Sequence, residues 1–166
     1  MKFRPTQPRD LEETYLVRAS TRQNPISREK LVAAGWTPEF VSEKLVIGEY
    51  IGWVCEQQGK IIGFTTGNTR TGEIIVLAVL PEYEGMKIGK RLLSRLMDTL
   101  TGKGCTSLWL EASPDPKVRA HGFYRANGWA PTGRTSANGD EVLEPWMNGI
   151  LPSAHESPSN PILKHV

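Results

Sequence analysis

The chain has 166 residues, of which 39% are hydrophobic and 23% charged, a composition typical of one globular domain with a sizeable core. Its 20 lysines and arginines are scattered against 18 aspartates and glutamates, which argues against a nucleic-acid-binding surface. No apolar run approaches the roughly 20 residues of a membrane-spanning helix, and the first residues are too polar for a signal peptide. We therefore expect a cytoplasmic protein that binds neither nucleic acid nor membrane.

The first half of the chain predicts a short strand, three helices and a β-hairpin. Ser27 and Thr37 each precede a helical pattern and are expected to act as N-caps. Two apolar stretches joined by Gln57, Gln58 and Gly59 predict the hairpin. We expect the helices to flank the substrate entrance. The predicted bounds are a strand at 2–4, helices at 8–20, 27–34 and 37–48, and strands at 50–56 and 60–66.

The second half predicts strands and helices arranged around one central strand. Residues 73–80 are apolar on both faces, which is typical of a strand at the centre of a sheet. Residues 87–101 form the best-defined helix, because Ile88, Leu92 and Leu96 recur at helical spacing. The later predicted elements are a strand at 106–111, a helix at 117–126, a strand from Trp129 and a strand at 141–147.

The composition changes after Asn148, where Pro, Ser, Asn and His replace most of the apolar residues. A segment of this composition buries little apolar surface and does not form a core. We expect a single domain at 1–148 followed by a flexible tail at 149–166.

The turn at 81–86 joins the central strand to the best-defined helix and is a candidate anion site. The first N–H groups of a helix have no intrahelical acceptor, so they attract anions. Gly85 and Gly89 permit close backbone approach, and Lys87, Lys90 and Arg91 add positive charge around a bound phosphate. The glycine and lysine spacing matches neither a P-loop nor the G-x-G-x-x-G dinucleotide pattern.

Two motifs resemble signatures of the GNAT superfamily of acetyl-CoA-dependent N-acetyltransferases. Residues 79–93 follow the family's acetyl-CoA loop, whose pattern is Gln/Arg-x-x-Gly-x-Gly/Ala after an apolar strand and a proline. Residues 120–129 resemble the second signature, Ala-x-x-Phe-Tyr-x-x-x-Gly-Phe. Glu84 stands where the family usually has Gln or Arg, and Lys87 where it has the first glycine. Lys87 fits this position if its φ stays negative, whereas Glu84 beside a pyrophosphate is unfavourable unless its side chain points away.

The resemblance implies the fold class and the cofactor contacts. The expected fold is α/β (α+β), a GNAT-like mixed, mostly antiparallel central sheet of about six to seven strands flanked by helices, with splayed central strands. Acetyl-CoA is the expected cofactor. Its expected contacts are Leu77, Ala78 and Val79 on the central strand, Gly85, Met86, Lys87, Ile88, Gly89 and Lys90 in the loop and helix start, and Tyr124.

The same resemblance implies a set of catalytic groups. An alkyl amine is mostly protonated at neutral pH, so it must lose a proton before it attacks a thioester. Tyr124 is expected to donate a proton to the departing thiolate, and a backbone N–H near Val79 to stabilise charge on the carbonyl oxygen. Glu111 is the favoured base, acting directly or through water, and Glu73 is the alternative.

The sequence therefore predicts an N-acetyltransferase that moves the acetyl group to a primary amine by direct attack in a ternary complex. The acceptor is a small molecule or a peptide that the sequence does not identify. A non-catalytic acyl-CoA-binding or regulatory module is the alternative, since it would keep the phosphate loop and lack the base. Cys55 and Cys105 lack metal-ligand spacing, so no metal is expected. The sequence leaves the oligomeric state open, and the strand at 141–147 is a candidate for homodimer pairing across a two-fold axis.

Overall fold

The computed structural model describes residues 1–146, so the predicted tail and the last two residues of the predicted domain lie outside the described part. The elements are β1 Lys2–Pro5, α1 Leu11–Ala19, α2 Arg28–Ala33, α3 Pro38–Val46, β2 Tyr50–Gln57, β3 Lys60–Asn68, β4 Ile74–Val79, α4 Ile88–Gly102, β5 Leu110–Ala112, α5 Arg119–Ala126, β6 Trp129–Thr135 and β7 Glu141–Pro145. Two 3-10 turns, Pro8–Asp10 and Pro81–Tyr83, precede α1 and α4.

The seven strands form two antiparallel sheets, in the orders β1-β2-β3-β4 and β5-β7-β6. A single parallel bridge between Glu73 and Trp109 joins them, and Ile74 N donates to Trp109 O at 2.8 Å. Beyond that bridge, no pairing connects β4 and β5 in the described residues. The expected sheet with splayed central strands is therefore confirmed.

The helix boundaries follow from capping and apolar spacing. The Ser27 hydroxyl accepts from Lys30 N at 3.3 Å, and the Thr37 hydroxyl accepts from Phe40 N at 3.1 Å, as the sequence predicts. In α4 the residues at helical spacing are buried, namely Ile88, Leu92, Leu93, Leu96 and Leu100. This stripe packs against the sheet and fixes the direction of the helix.

The sheet carries a separate apolar core on each face. On one face, α4 and α5 pack against Leu77, which belongs to the largest core cluster. On the other face, α1, α2 and α3 enclose a second cluster that contains Trp36, Tyr50 and Ile75. The register of β3 with β4 shifts at Ile75, so this residue forms a bulge next to the split between the two sheets.

The structure corrects three details of the predicted elements. Strand β5 begins at Leu110 rather than at residue 106, and helix α5 begins at Arg119 rather than at residue 117, because Val118 is extended. Strand β7 lies between β5 and β6, so both of its edges are paired. The predicted homodimer contact through this strand is therefore wrong, since no free edge remains there for a second chain.

No helix within residues 1–146 is long and apolar enough to cross a membrane.

Candidate functional site

The loop between β4 and α4 makes a sharp turn that directs backbone amides outward. Glu84 is extended, Gly85 has φ +80° and Lys87 has φ +60°, directly before the first residue of α4. The condition of a negative φ at Lys87 is therefore not met. A lysine in the left-handed region carries a local strain that a glycine would avoid.

The amides of residues 85–90 have no acceptor among the described residues, and the N-cap residue Lys87 provides no side-chain cap. The first amide with a partner is that of Arg91, which donates to Lys87 O at 3.1 Å. Free amides at the positive end of a helix are typical of anion-binding sites, and α4 has fifteen residues. This geometry is what the sequence predicts for a phosphate.

The amides open into a cleft of about 250 Å³ between the loop, β4 and α5. The predicted residues that line it are Leu77, Val79, Gly85, Lys87, Ile88, Gly89 and Lys90. A Cβ at Gly89 would lie 3.4 Å from the Phe123 ring, so the glycine keeps the cleft open between α4 and α5. Ala78 and Met86 contribute no lining side chain, because Ala78 is buried on the α1 face and Met86 is exposed.

Two charged side chains are placed differently from expectation. The Arg91 guanidinium lies over the Phe3 ring, 4.2 Å from its centroid, and does not line the cleft. Glu84 does not point away, because its side chain lines the cleft and its carboxylate contacts Arg22 at 3.0 Å and Arg119 at 2.5 Å. Lys87 and Lys90 do line the cleft, as predicted.

Tyr124 lies next to the cleft without lining it. Its side chain is fully buried, and its ring makes edge contacts with Phe123 at 5.1 Å and with Trp129 at 6.1 Å. Burial raises the pKa of the Tyr124 hydroxyl well above 10, and the charge of the fully buried Arg18 opposes this shift. Burial lowers the pKa of Arg18 to about 10, so the guanidinium keeps its charge at neutral pH.

Glu73 and Glu111 face the α1 side of the split between the sheets. Their neighbours along the strands, Ile74, Leu110 and Ala112, belong to the α4 core, so alternation turns both carboxylates to the other face. Burial and, to a smaller extent, the charge of Glu111 raise the pKa of Glu73 from 4.5 to about 7. Burial, followed by the charge of Asp140, raises the pKa of Glu111.

The Glu111 side chain is 8% exposed, and its Oε1 has no hydrogen-bond partner among the described residues. An unpaired buried carboxylate oxygen is costly and is a frequent feature of groups that accept a proton. The carboxylates of Glu73 and Glu111 therefore lie on the same side of the split.

The split also exposes backbone amides of β4. Leu80 N donates to Ile62 O at 2.9 Å, so the amide of Leu80 points toward β3. Because amides alternate in direction along a strand, the amides of Val79 and Leu77 point away from β3, toward the gap in front of β5. The Val79 amide that the sequence suggested as an oxyanion donor is therefore free to meet a ligand in the gap.

Sequence reasoning placed the helix of the second motif beside the cofactor but missed the side chains through which α5 lines the cleft. Arg119, Phe123 and Asn127 all line the cleft, and their spacing of four residues places them on one face of the helix. This spacing is visible in the sequence around the second motif. Arg22 and Gln23, from the connection between α1 and α2, also reach this region. No local sequence pattern predicts these contacts.

Within residues 1–146, no group of three His, Cys, Asp or Glu side chains is placed to hold a metal ion.

Comparisons with known proteins agree with this arrangement. Residues 14–129 match the sequence model of the acetyltransferase (GNAT) family. A curated relative, the ribosomal protein bS18-alanine N-acetyltransferase of Haemophilus influenzae, is 35% identical over 72 residues, which are 42% of this chain and 49% of the relative. The match thus spans about half the length of that curated relative.

Two solved structures share the fold. The PaiA N-acetyltransferase of Thermoplasma acidophilum, solved in complex with coenzyme A, superposes with a TM-score of 0.72 at 21% identity, over 87% of this chain and 99% of its own. The ribosomal-protein-S18-alanine N-acetyltransferase of Escherichia coli superposes with a TM-score of 0.60 at 21% identity, over 95% and 98%.

Proposed function

Because the chain belongs to the GNAT acetyltransferase family, we propose that it transfers the acetyl group of acetyl-CoA to a primary amine by direct attack in a ternary complex. The observation that carries the proposal is the row of unpaired amides at residues 85–90, beside a cleft that is also lined by Leu77 and Val79 of β4. A cytoplasmic location remains a prediction.

The cleft fits a phosphorylated thioester cofactor. Five of the residues with unpaired amides line the cleft, and these amides together with Lys87 and Lys90 offer donors and positive charge to a pyrophosphate. Leu77, Val79 and Phe123 supply an apolar wall along which an uncharged chain would lie. Acetyl-CoA supplies the activated acetyl group when it is bound, and the remaining chemistry falls to the protein's own residues.

Glu111 is the proposed base. A base must be ionised to accept a proton from an ammonium group, and it works best when its pKa is close to the working pH. Burial raises the pKa of Glu111 toward that range, and its unpartnered Oε1 is available to the amine or to a bridging water. Glu73 on the same side holds a second carboxylate, whose pKa is raised to about 7 by burial and by the charge of Glu111.

Tyr124 is the proposed donor to the departing thiolate. A phenol whose pKa is well above 10 is a weak acid, so its first contribution is a hydrogen bond to the sulfur as negative charge develops there. The charge of Arg18 favours the phenolate and so makes full proton transfer easier. The Val79 amide, which faces the gap, is the proposed donor to the carbonyl oxygen.

The acceptor is proposed to enter from the α1–α3 side, where Glu73 and Glu111 lie. The curated relative and the E. coli structure are both alanine N-acetyltransferases of ribosomal protein S18. A peptide with an N-terminal alanine is therefore the first acceptor to test, followed by a polyamine, an aminoglycoside and free amino acids.

The test incubates the full chain with acetyl-CoA and each acceptor and follows thiol release, with coenzyme A affinity measured in parallel. We expect thiol release above the acceptor-free rate with at least one amine. Tight coenzyme A binding without turnover across the whole panel would contradict the proposal and support the non-catalytic module.

A further inference from the structure

The mouth of the cleft contains a carboxylate in a place where an anion is expected to bind. Glu84 lines the cleft beside the unpaired amides, and its side chain is only 15% exposed. A negative charge at this position repels a bound phosphate unless other charges compensate for it. The structure shows how they do so.

Two arginines from distant parts of the chain converge on Glu84. Arg22 Nε lies 3.0 Å and Arg119 Nη1 lies 2.5 Å from the same oxygen, Glu84 Oε2. Arg119 also lines the cleft, together with Lys87 and Lys90. The carboxylate is thus surrounded by cations, and the local charge at the mouth is positive.

A neighbouring contact fixes the backbone that carries Arg119. Gln23 Oε1 accepts from the backbone N of Arg119 at 2.8 Å, and Gln23 Nε2 donates to Lys117 O at 3.4 Å. The adjacent residues Arg22 and Gln23 therefore contact both walls of the cleft, the loop through Glu84 and the start of α5. Arg119 is held at two points, by its amide and by its guanidinium.

From this arrangement we infer that Arg119 binds a phosphate group of the cofactor and that Glu84 is the positioning residue that holds the Arg119 guanidinium at the mouth of the cleft. A guanidinium has five N–H donors in a planar fork, so the contact to Glu84 through Nη1 leaves donors for a phosphate. This inference rests on the proposed function, because it assumes that a phosphorylated cofactor occupies the cleft.

The two possible roles of Glu84 predict opposite effects on phosphate binding when its charge is removed. Removal of the Glu84 charge eliminates repulsion and should tighten phosphate binding if the carboxylate has no other role. If Glu84 positions Arg119, the same change releases the guanidinium and weakens binding. The direction of the effect of Glu84→Gln on coenzyme A affinity therefore separates the two roles.

The experiment measures coenzyme A binding by calorimetry in the full chain for wild type, Arg119→Gln, Glu84→Gln and the double variant. We expect Arg119→Gln to weaken binding by about 10-fold or more, the size of a lost charge-assisted hydrogen bond. Glu84→Gln should weaken binding by about fivefold alone and should tighten it in the Arg119→Gln background. In steady-state assays, Glu84→Gln should raise KM for acetyl-CoA and leave kcat unchanged.

Arg125→Gln is the matched control, since Arg125 lies on the same helix and pairs with Glu141 at 2.6 Å outside the cleft. It should leave coenzyme A affinity unchanged, and thermal melts should show that all variants are folded. Tighter binding in Glu84→Gln alone, or unchanged binding in Arg119→Gln, would overturn the inference. Wild-type protein that binds no coenzyme A would instead contradict the proposed function.

Discussion

The cleft on the α4–α5 side of the sheet presents backbone amides and aliphatic walls, whereas the α1–α3 side presents aromatic rings and carboxylates. On the first side, glycines and a helix start provide the contacts at residues 85–90. On the second side, Trp36 stacks on Tyr50 with centroids 5.7 Å apart, and Phe40 meets both rings edge-on. A site built from backbone groups needs particular residues at particular spacings, while a site built from side chains leaves no fixed pattern in the sequence.

The largest expected effect falls at the border between the two sides. Glu111→Gln removes the proposed base and should lower kcat by about 10²-fold to 10⁴-fold, with coenzyme A affinity unchanged. Because the base acts when ionised and burial raises its pKa, wild-type kcat/KM should rise with pH through that pKa, and the variant should lose this rise. Pre-steady-state and steady-state rates across pH measure both the fall in kcat and the pH dependence of kcat/KM. A variant with wild-type kcat would leave Glu73 or water as the base.

Tyr124→Phe should give the next largest effect, a fall in kcat of about 10²-fold, because the thiolate loses its hydrogen-bond donor. Coenzyme A affinity should change little, since Tyr124 does not line the cleft. Tyr83→Phe is the control, as it removes a phenol that does line the cleft and should leave kcat near wild type. Unchanged turnover in Tyr124→Phe would remove this residue from the mechanism.

The accuracy of the predictions from the sequence also differs between the two sides of the sheet. The loop, α4 and the second motif were predicted well because glycine positions and apolar spacing report backbone geometry directly. Cleft residues Leu77, Val79, Gly85 and Gly89 lie where the motif implied. The sequence also predicted the splayed strands, although only through family resemblance.

Other features were beyond sequence reasoning because they depend on long-range contacts. Nothing local shows that Arg91 turns away to stack on Phe3, or that Arg22 reaches Glu84 across 62 positions. The position of β7 between β5 and β6 is also a tertiary property, and it removed the predicted dimer contact. The positive φ of Lys87 contradicts an expectation from steric preference, because the tight turn at the helix start overrides that preference.

Glu73→Gln tests the electrostatics of the α1–α3 side through stability. Because the pKa of Glu73 is raised from 4.5 to about 7 in the folded chain, the folded state binds more protons than the unfolded state between these values. The wild-type free energy of unfolding should therefore fall by roughly 2 kcal/mol between pH 5 and pH 8, and the variant should lose this fall. Chemical denaturation of both proteins at both pH values measures the free energy of unfolding. An equal fall in wild type and variant would contradict the raised pKa of Glu73.

Phe40→Ala should separate acceptor from cofactor binding. Phe40 is 37% exposed at the edge of the aromatic cluster, so its removal should raise KM for the best acceptor by about fivefold. The KM for acetyl-CoA should not change. An equal rise in both KM values would indicate that the substitution disturbs the whole fold. It would contradict separate acceptor and cofactor sites on the two faces of the sheet.

The smallest expected effect belongs to the strained loop position. Lys87→Gly should relieve the positive φ and raise the free energy of unfolding by about 0.5 kcal/mol, while coenzyme A affinity falls severalfold because a cation is lost. Gln58→Gly is the matched control, since Gln58 has φ +51° in the hairpin turn outside the cleft. It should raise stability similarly without changing affinity. Loss of stability in Lys87→Gly would show that the lysine side chain stabilises the turn.

The central claim is that the amides of residues 85–90 bind the phosphates of coenzyme A. Amide-resolved NMR of the full chain during titration with coenzyme A tests it directly, because a charged acceptor shifts the resonance of the N–H that it contacts. The account predicts the largest shifts at Gly85 to Lys90, followed by those of α5 near Arg119. Saturating shifts confined to other parts of the chain, or none at all in folded protein, would contradict it.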